Sequence, residues 1–284
     1  MAREDWGLID PLPSLAEVPA GELHTHLGIK IPGGYRAYLW GLRGANSVFD
    51  DIATRTRLSD TTYEDQCSAK YYFDLFNAVR TAFGEITRVV EVGVYMGGAS
   101  VILAGCAARM GLELDLVDIN QSFLRFSHER IRRTFPEAVP RVRMFHGDLP
   151  TYVRDVLGKE SAARVMVQHD GSHDFNQVVR DLASLSFVRG QFHSLAIQDT
   201  HLRGIPPYMN FVDAAVYAIF GFDLAFSPMG TTHHVDDTAV TTPNKYEGNY
   251  FLPDRPEGMY LSMDNNQFFY PHPTISLDAF LPKG

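Results

Sequence analysis

Short apolar segments alternate with amphipathic ones through the middle of the chain. From Tyr71, apolar residues recur at helical spacing and stop at Gly84, which predicts an amphipathic helix. Strand-like and helical patterns then alternate in the segments RVVEVGVY, ASVILAGCAARM, LELDLVDI, SFLRFSHERIRRTF, VRMFHGD, TYVRDVLG, ARVMVQHD, FNQVVRDLASL and FHSLAIQD. Continuous apolar strands that alternate with helices predict an α/β fold with a doubly wound, mostly parallel sheet covered on both faces.

Both ends of the chain lack this alternation. Residues 1–70 contain scattered prolines and glycines with no sustained period, which predicts an irregular N-terminal cap or oligomerisation segment. Residues 71–240 are expected to form the ligand-binding α/β domain, and residues 241–284 a C-terminal extension. The aromatic residues of that extension fit a lid, a sugar platform or a subunit contact equally well.

Composition narrows the class of protein. The chain has 25 Lys and Arg against 34 Asp and Glu, a net charge of −9, so a general role on nucleic acid or at a membrane surface is disfavoured. Cys67 and Cys106 form no CxxC pair, which argues for a reducing compartment. The N-terminus lacks an apolar stretch of the secretory type, so we expect a cytoplasmic protein.

The sharpest local motif is VVEVGVYMGGAS, at residues 89–100. An apolar strand ends at Glu91, and the chain turns through glycines into a helix, an arrangement that brings backbone N–H groups close to a nucleotide. Acidic residues end the next two strands, at Asp118 and Asp148, where they could accept hydrogen bonds from a ribose and an adenine. The candidate cofactor-binding residues are Glu91, Gly93, Tyr95, Gly97, Ser100, Asp118, Asp148 and Asp170. A tight turn without a ligand is the alternative.

The next two strand ends carry a second group of polar residues. The segment VMVQHDGSHDF supplies Asp170 and His173, and LAIQDTH supplies Gln198, Asp199 and His201. Oxygen ligands from adjacent strand ends suit a hard cation such as Mg²⁺. The alternatives are that Asp170 caps the following helix and that His173 bonds to the start of that helix.

The Gly-rich motif resembles motif I of class I S-adenosylmethionine methyltransferases, because it reads E-x-G-x-x-x-G-G rather than the G-x-G-x-x-G of dehydrogenases. The acidic pair resembles metal-dependent O-methyltransferases: catechol O-methyltransferase and, more closely, the macrocin and mycinamicin sugar O-methyltransferases and the cephalosporin-hydroxylase-type family. The resemblance covers roughly residues 70–230. It implies a Rossmann-like methyltransferase fold, S-adenosylmethionine as cofactor, Mg²⁺ held by Asp170, Gln198 and Asp199, and His173 as the catalytic base with His201 as its competitor. Gln198 stands where those families commonly have a carboxylate, which predicts weaker metal binding.

The function implied is O-methylation of a small-molecule acceptor, a sugar hydroxyl of a natural product or of its nucleotide-sugar precursor, by a homo-oligomeric enzyme. A catechol-type or polyketide phenol O-methyltransferase, a dehydrogenase and a non-catalytic scaffold that binds the cofactor are the alternatives.

Other segments favour competing interpretations. GELHTHLG at residues 21–28 and HHVDDT at residues 233–238 together suggest a metal hydrolase, although such a fold needs eight βα units. The arginines of SFLRFSHERIRRTF predict a solvated helix face in preference to a phosphate site.

Overall fold

The computed structural model describes residues 6–204, 210–232, 250–252, 254–269 and 276–281. The helices are α1 (Leu23–His26), α2 (Ser47–Leu58), α3 (Ala69–Ala82), α4 (Gly98–Met110), α5 (Gln121–Thr134), α6 (Leu149–Asp155), α7 (Phe175–Leu185) and α8 (Val212–Phe220). The strands are β1 (Gly7–Ile9), β2 (Arg88–Val92), β3 (Glu113–Asp118), β4 (Val142–His146), β5 (Val165–His169), β6 (Phe192–Gln198), β7 (Leu202–Arg203), β8 (Ser227–Thr232), β9 (Tyr250–Phe251) and β10 (Pro256–Ser262). Within these ranges, each helix is too short or too polar to span a bilayer.

One large sheet organises the described residues. Eight strands pair in the order β1-β4-β3-β2-β5-β6-β10-β8. The strands β2 to β6 are mutually parallel, whereas β1 and β10 run antiparallel to their neighbours. The chain leaves β2 in one direction to form β3 and β4 and then returns to form β5 on the other side. The order therefore reverses between β2 and β5, which is where open α/β sheets bind ligands. The predicted doubly wound, mostly parallel α/β sheet is confirmed.

Successive strand residues face two separate cores. In β2, Val89 packs with the core that contains α3, α4 and α5, and Val90 packs with the core that contains α6, α7 and α8. The same alternation places Met166 in the first core and Val167 in the second. Because both faces of the sheet are covered, the central strands read as continuous apolar runs in the sequence.

The two ends of the chain contribute more regular structure than their patterns suggest. Residues 47–58 form α2, whose buried residues Phe49, Ile52, Ala53 and Thr56 follow a helical spacing. The expectation of an irregular first segment is wrong there, because a helix of about three turns is hard to recognise among prolines and glycines. β1 pairs with β4, and β10 lies between β6 and β8. The sheet is therefore completed by strands from outside residues 71–240.

Candidate functional site

A cavity of about 1730 Å³ opens at the carboxyl ends of the parallel strands. This volume exceeds the roughly 300–1,000 Å³ typical of small-molecule pockets, so the cavity has room for more than one small ligand. The predicted site residues that line it are Glu91, Gly93, Tyr95, Asp118, Asp148, Asp170, His173, Gln198, Asp199 and His201. Gly97 and Ser100 were also predicted to bind the cofactor, but they do not line the cavity. Gly97 packs against Ser127, and Ser100 is fully buried.

The glycines of the 89–100 motif are required by packing within the protein itself. Gly93 has a φ of 81°, and a Cβ there would lie 2.2 Å from the carbonyl oxygen of Asp170. At Gly98, the first residue of α4, a Cβ would lie 2.0 Å from the hydroxyl oxygen of Tyr72. These glycines let the ends of β2 and β5 meet and let α3 approach α4, which brings the polar strand ends into one cavity.

Two carboxylates, Glu91 in the motif and Asp118 at the end of β3, line the cavity. Glu91 is 1% exposed, and its burial raises its pKa well above the usual value, although the nearby hydroxyl of Ser100 opposes this effect. Its Oε2 atom is buried without a hydrogen-bond partner. Asp118 accepts hydrogen bonds from the backbone N–H of Val94, at 2.9 Å, and of Asn120, at 2.8 Å. Each Asp118 oxygen retains a lone pair, so it can still accept a ligand hydroxyl.

Asp148 has a structural role at the third strand end. Its carboxylate accepts a hydrogen bond from the backbone N–H of Thr151, at 2.9 Å, and caps the N-terminus of α6. Burial raises its pKa above the usual value. Because Asp148 also lines the cavity, its carboxylate can cap the helix and contact a ligand at the same time.

A buried arginine supports the motif from behind. Arg130 on α5 is 1% exposed, donates a hydrogen bond of 2.7 Å to the carbonyl of Met96 and stacks 3.5 Å from the ring centre of Tyr63. The expected solvated arginine face is therefore wrong at this residue. Helical periodicity does not distinguish an outward arginine from one that packs under the N-terminal segment.

The second polar group converges at the ends of β5 and β6. The Nε2 atom of His173 lies 2.9 Å from Oδ2 of Asp199 and 3.7 Å from Oδ1 of Asp170. One ligand atom from each of these three residues falls within 4.8 Å of the others. The N-cap of α7 is Asp174, which accepts a hydrogen bond of 3.1 Å from the N–H of Gln177. Asp170 is therefore not the helix cap, and its carboxylate faces the cavity.

The backbone and Gln198 add two features to this group. Asp199 has a φ of 61°, an uncommon conformation for a residue other than glycine, and such strain concentrates at functional sites. The Gln198 side chain helps to lower the pKa of Asp199, and its Oε1 atom is buried without a hydrogen-bond partner. Two carboxylates and an unpaired amide oxygen on a cavity wall make a donor set that fits a hard divalent cation.

The charges within this group influence one another strongly. Desolvation lowers the pKa of His173, but the charge of Asp199 and the contacts with both carboxylates outweigh it and raise the pKa to about 10. Burial raises the pKa of Asp170, whereas the charge of His173 outweighs burial at Asp199 and lowers its pKa. In the absence of a cation, His173 is therefore an imidazolium at neutral pH.

This arrangement predicts how the stability of cation-free protein depends on pH. The folded-state pKa of His173, about 10, lies above its ordinary value of 6.5, so the folded state binds more protons between these pH values. The stabilisation from His173 should be complete below pH 6.5 and disappear as the pH rises towards 10. Thermal denaturation in chelator, with wild type compared with His173→Gln, should show a difference in Tm that shrinks with rising pH. A constant difference would contradict the assigned charge.

The other histidines near these motifs occupy different positions. His201 is buried, lines the cavity and stacks on Phe251 with ring centres 4.6 Å apart. His169 is buried, and its Nε2 atom lies 3.0 Å from Oδ2 of Asp181. His24 and His26 lie on α1 and do not line the cavity, and residues 233–238 fall outside the described ranges. The described structure thus gives no support to a hydrolase built on the HTH segment.

Residues from both ends of the chain line the cavity and were not identified from the sequence. They are Trp6, Tyr35, Glu64, Gln66, Cys67 and Ser68 before the motif, and Thr231, Phe251 and Glu257 after β6. The polar run at residues 64–68, directly before an amphipathic helix, resembles an ordinary exposed loop. Only the tertiary structure shows that this run is buried, since Glu64 is 0% exposed and accepts hydrogen bonds from the backbone N–H groups of Gly33 and Gly34.

Comparisons with known proteins found one matching family and several similar solved structures. Residues 90–188 match the family described as a methyltransferase domain. No curated protein matches the chain at a significant level. Similar solved structures include a TDP-rhamnose 3′-O-methyltransferase of calicheamicin biosynthesis, with 14% identity, 68% of this chain and 78% of that chain covered and a TM-score of 0.46. An O-methyltransferase of tomaymycin synthesis from Streptomyces achromogenes, solved with S-adenosylmethionine, has 14% identity, 76% and 90% coverage and a TM-score of 0.46.

A further similar structure is an O-methyltransferase from Bacillus cereus, solved with S-adenosylhomocysteine, with 9% identity, 77% and 91% coverage and a TM-score of 0.45. Similarity at this level transfers no substrate to this chain. The family match does bear on the motif itself, because it begins at Val90 and extends past α7. It includes Asp170 and His173 of the second polar group but ends before Gln198 and Asp199. Residues 90–188 therefore match a methyltransferase domain, and the resemblance to methyltransferases drawn from the sequence is confirmed for this part of the chain.

Proposed function

We propose that this protein is an O-methyltransferase that transfers the methyl group of S-adenosylmethionine to a sugar hydroxyl of a small-molecule acceptor, assisted by a divalent cation. The observation that carries the proposal is the convergence of Asp170, His173 and Asp199 in the same cavity as Glu91 and Asp118. One cavity thus contains groups suited to a methyl donor and groups suited to activating a hydroxyl.

The donor would lie across the ends of β2, β3 and β4. Glu91 suits the cationic amino-acid part of the donor, Asp118 the ribose hydroxyls, and Asp148 the adenine amine. The unpaired Oε2 of Glu91 supports this fit, because a buried carboxylate oxygen without a partner is costly unless a ligand satisfies it.

Asp118→Ala should weaken donor binding by about 1–3 kcal/mol, because hydrogen bonds from ribose to a charged acceptor are lost. Calorimetry with S-adenosylhomocysteine measures this change. Asp118 also accepts from two backbone N–H groups, so the Tm of the variant must be compared with that of wild type. Asp118→Asn keeps the shape of the side chain but turns an NH2 group towards one of these donors, so its Tm is compared in the same way. Unchanged affinity in both variants would remove Asp118 from the donor site.

The cation would be held by Asp170, Asp199 and the Oε1 atom of Gln198. When bound, it would neutralise the two carboxylates and lower the pKa of an acceptor hydroxyl. The charges that keep His173 protonated would then be compensated, and its Nε2 atom could accept the hydroxyl proton. The acceptor oxygen attacks the methyl carbon as the carbon–sulfur bond breaks, which leaves S-adenosylhomocysteine.

Gln198→Glu should lower the Mg²⁺ concentration that gives half-maximal activity, because a carboxylate replaces a neutral amide ligand. Gln198→Ala removes the ligand oxygen and should raise that concentration. Activity measured across a Mg²⁺ titration separates the two variants from wild type. If both variants show the wild-type Mg²⁺ dependence, Gln198 is not a ligand.

The acceptor class is inferred from the resemblance and from the cavity lining. Polar side chains such as Gln66 and Thr231 line the cavity together with the rings of Tyr35 and Phe251. This mixture supplies both the hydrogen-bonding groups and the stacking surface that a sugar needs. Assay of a panel of nucleotide sugars, glycosylated natural products, catechols and polyketide phenols with S-adenosylmethionine tests the class. Turnover of the phenols alone would overturn the sugar assignment. The cytoplasmic location and the homo-oligomeric state stay predictions.

A further inference from the structure

A second group of metal-ligating side chains lies away from the cavity. Glu85 in the α3–β2 loop, His193 near the start of β6 and Asp264 just after β10 each place one ligand atom within 4.8 Å of the others. The Nε2 atom of His193 lies 3.5 Å from Oε2 of Glu85. Ligand atoms around a tetrahedral Zn²⁺ with bonds of about 2.0–2.1 Å are roughly 3.3 Å apart, so the distance between His193 and Glu85 is close to that of two zinc ligands.

The contacts of His193 hold its Nδ1 atom and leave its Nε2 atom directed towards the other two residues. The ring is 4% exposed, and its Nδ1 atom lies 3.0 Å from the hydroxyl oxygen of Ser194, which itself hydrogen-bonds with Tyr260. Metal-bound histidines typically use their second nitrogen in such a contact, which fixes the ring and its tautomer. If Nδ1 carries the proton, the lone pair of Nε2 is directed towards the two carboxylates.

Backbone contacts bring the three ligands together. The N–H of Met263 donates a hydrogen bond of 2.9 Å to the carbonyl of His193, so Asp264 is held beside β6. The side chains of Glu85 and Asp264 are exposed, which leaves room for water as a further ligand. Arg164, 3.6 Å from Glu85, balances only part of the negative charge of the two carboxylates.

This group is separate from the proposed active site. His193 and Asp199 are six residues apart at opposite ends of β6, a distance of about 20 Å at 3.3 Å per residue. None of Glu85, His193 and Asp264 lines the cavity.

We propose that Glu85, His193 and Asp264 form a binding site for Zn²⁺ or a similar borderline divalent metal, completed by water. One imidazole nitrogen and two carboxylates match the ligand preferences of Zn²⁺, whereas Mg²⁺ prefers oxygen ligands alone. The metal would join the loop before β2 to β6 and to the end of β10. The metal would therefore stabilise the position of β10 relative to β6 and to the loop before β2.

Calorimetric titration of the full chain with Zn²⁺ tests the proposal. The Asp199→Asn variant is used as the background, because it weakens Zn²⁺ binding at the proposed active site. Adding Asp264→Asn or Glu85→Gln to this background should weaken Zn²⁺ binding at least about tenfold, as loss of a ligand should cost no less than loss of an outer partner. Adding Glu17→Gln, an exposed acidic residue outside the group, should change nothing.

Two further readouts keep the test decisive. Co²⁺ bound at the site should give visible absorption that is lost in the Asp264→Asn and Glu85→Gln variants. Zn²⁺ should also raise the Tm of the background variant more than that of the Asp264→Asn variant. Both substitutions are at exposed positions, so the variants are expected to fold. Equal Zn²⁺ binding in all variants, or none in the background, would overturn the proposal and leave an ordinary ion pair between His193 and Glu85.

Discussion

His173→Ala is expected to lower the rate of methyl transfer by about 10²- to 10⁴-fold, the usual contribution of a positioned general base. The ring lies 2.9 Å from Asp199, on the wall of the cavity where an acceptor hydroxyl would be held. It does not belong to the donor side, so the affinity for S-adenosylhomocysteine should stay nearly unchanged. Single-turnover rates at saturating acceptor, together with calorimetry, separate these two effects.

The matched comparison is His201→Ala, because His201 lines the same cavity two residues after Asp199. His201 stacks on Phe251 and should affect acceptor binding more than the rate of transfer. If His173→Ala retains most of its turnover and His201→Ala loses it, the base is His201. If both variants remain active at saturating Mg²⁺, the cation alone is sufficient to activate the hydroxyl.

Chelator treatment is expected to abolish methylation, and addition of Mg²⁺ to restore it. Asp199→Asn should lower turnover by more than about 10²-fold at a Mg²⁺ concentration that saturates wild type, since loss of a direct ligand should exceed the 10–100-fold effect of an outer partner. Asp170→Asn should behave in the same way, because both carboxylates contribute to one donor set. Activity across a Mg²⁺ titration, with elemental analysis of the chelated protein, provides the measurement.

Asp174→Asn is the control for these substitutions. Asp174 lies in the same loop as Asp170 but caps α7, and asparagine is an equally good N-cap, so this variant should keep wild-type activity and Tm. Full activity of metal-free wild type would contradict the cation site and leave Asp170 with a structural role. In that case the enzyme would work with His173 in contact with the two carboxylates and with no cation between them.

The sequence by itself determined the central architecture and which strand ends carry chemistry. Parallel strands buried on both faces must be continuously apolar, so β2 to β6 are visible as short apolar runs separated by amphipathic helices. The carboxyl ends of parallel strands lie at one edge of a sheet. Acidic residues that follow such strands, as Asp118 and Asp170 do, are therefore brought into one cavity whatever the details of packing.

Tertiary structure alone decided which side chains touch and how the ends of the chain complete the domain. Arg130 is buried because the N-terminal segment covers α5, and β10 enters the sheet between β6 and β8. The contact of His173 with Asp199 joins two loops that are distant in sequence, and it changes the charge expected for the proposed base. The periodicity of apolar residues predicts only which residues of a helix or strand are buried, and it does not predict what they contact. Contacts between distant segments depend on packing of the whole fold, and they set the pKa and orientation of each group in the site.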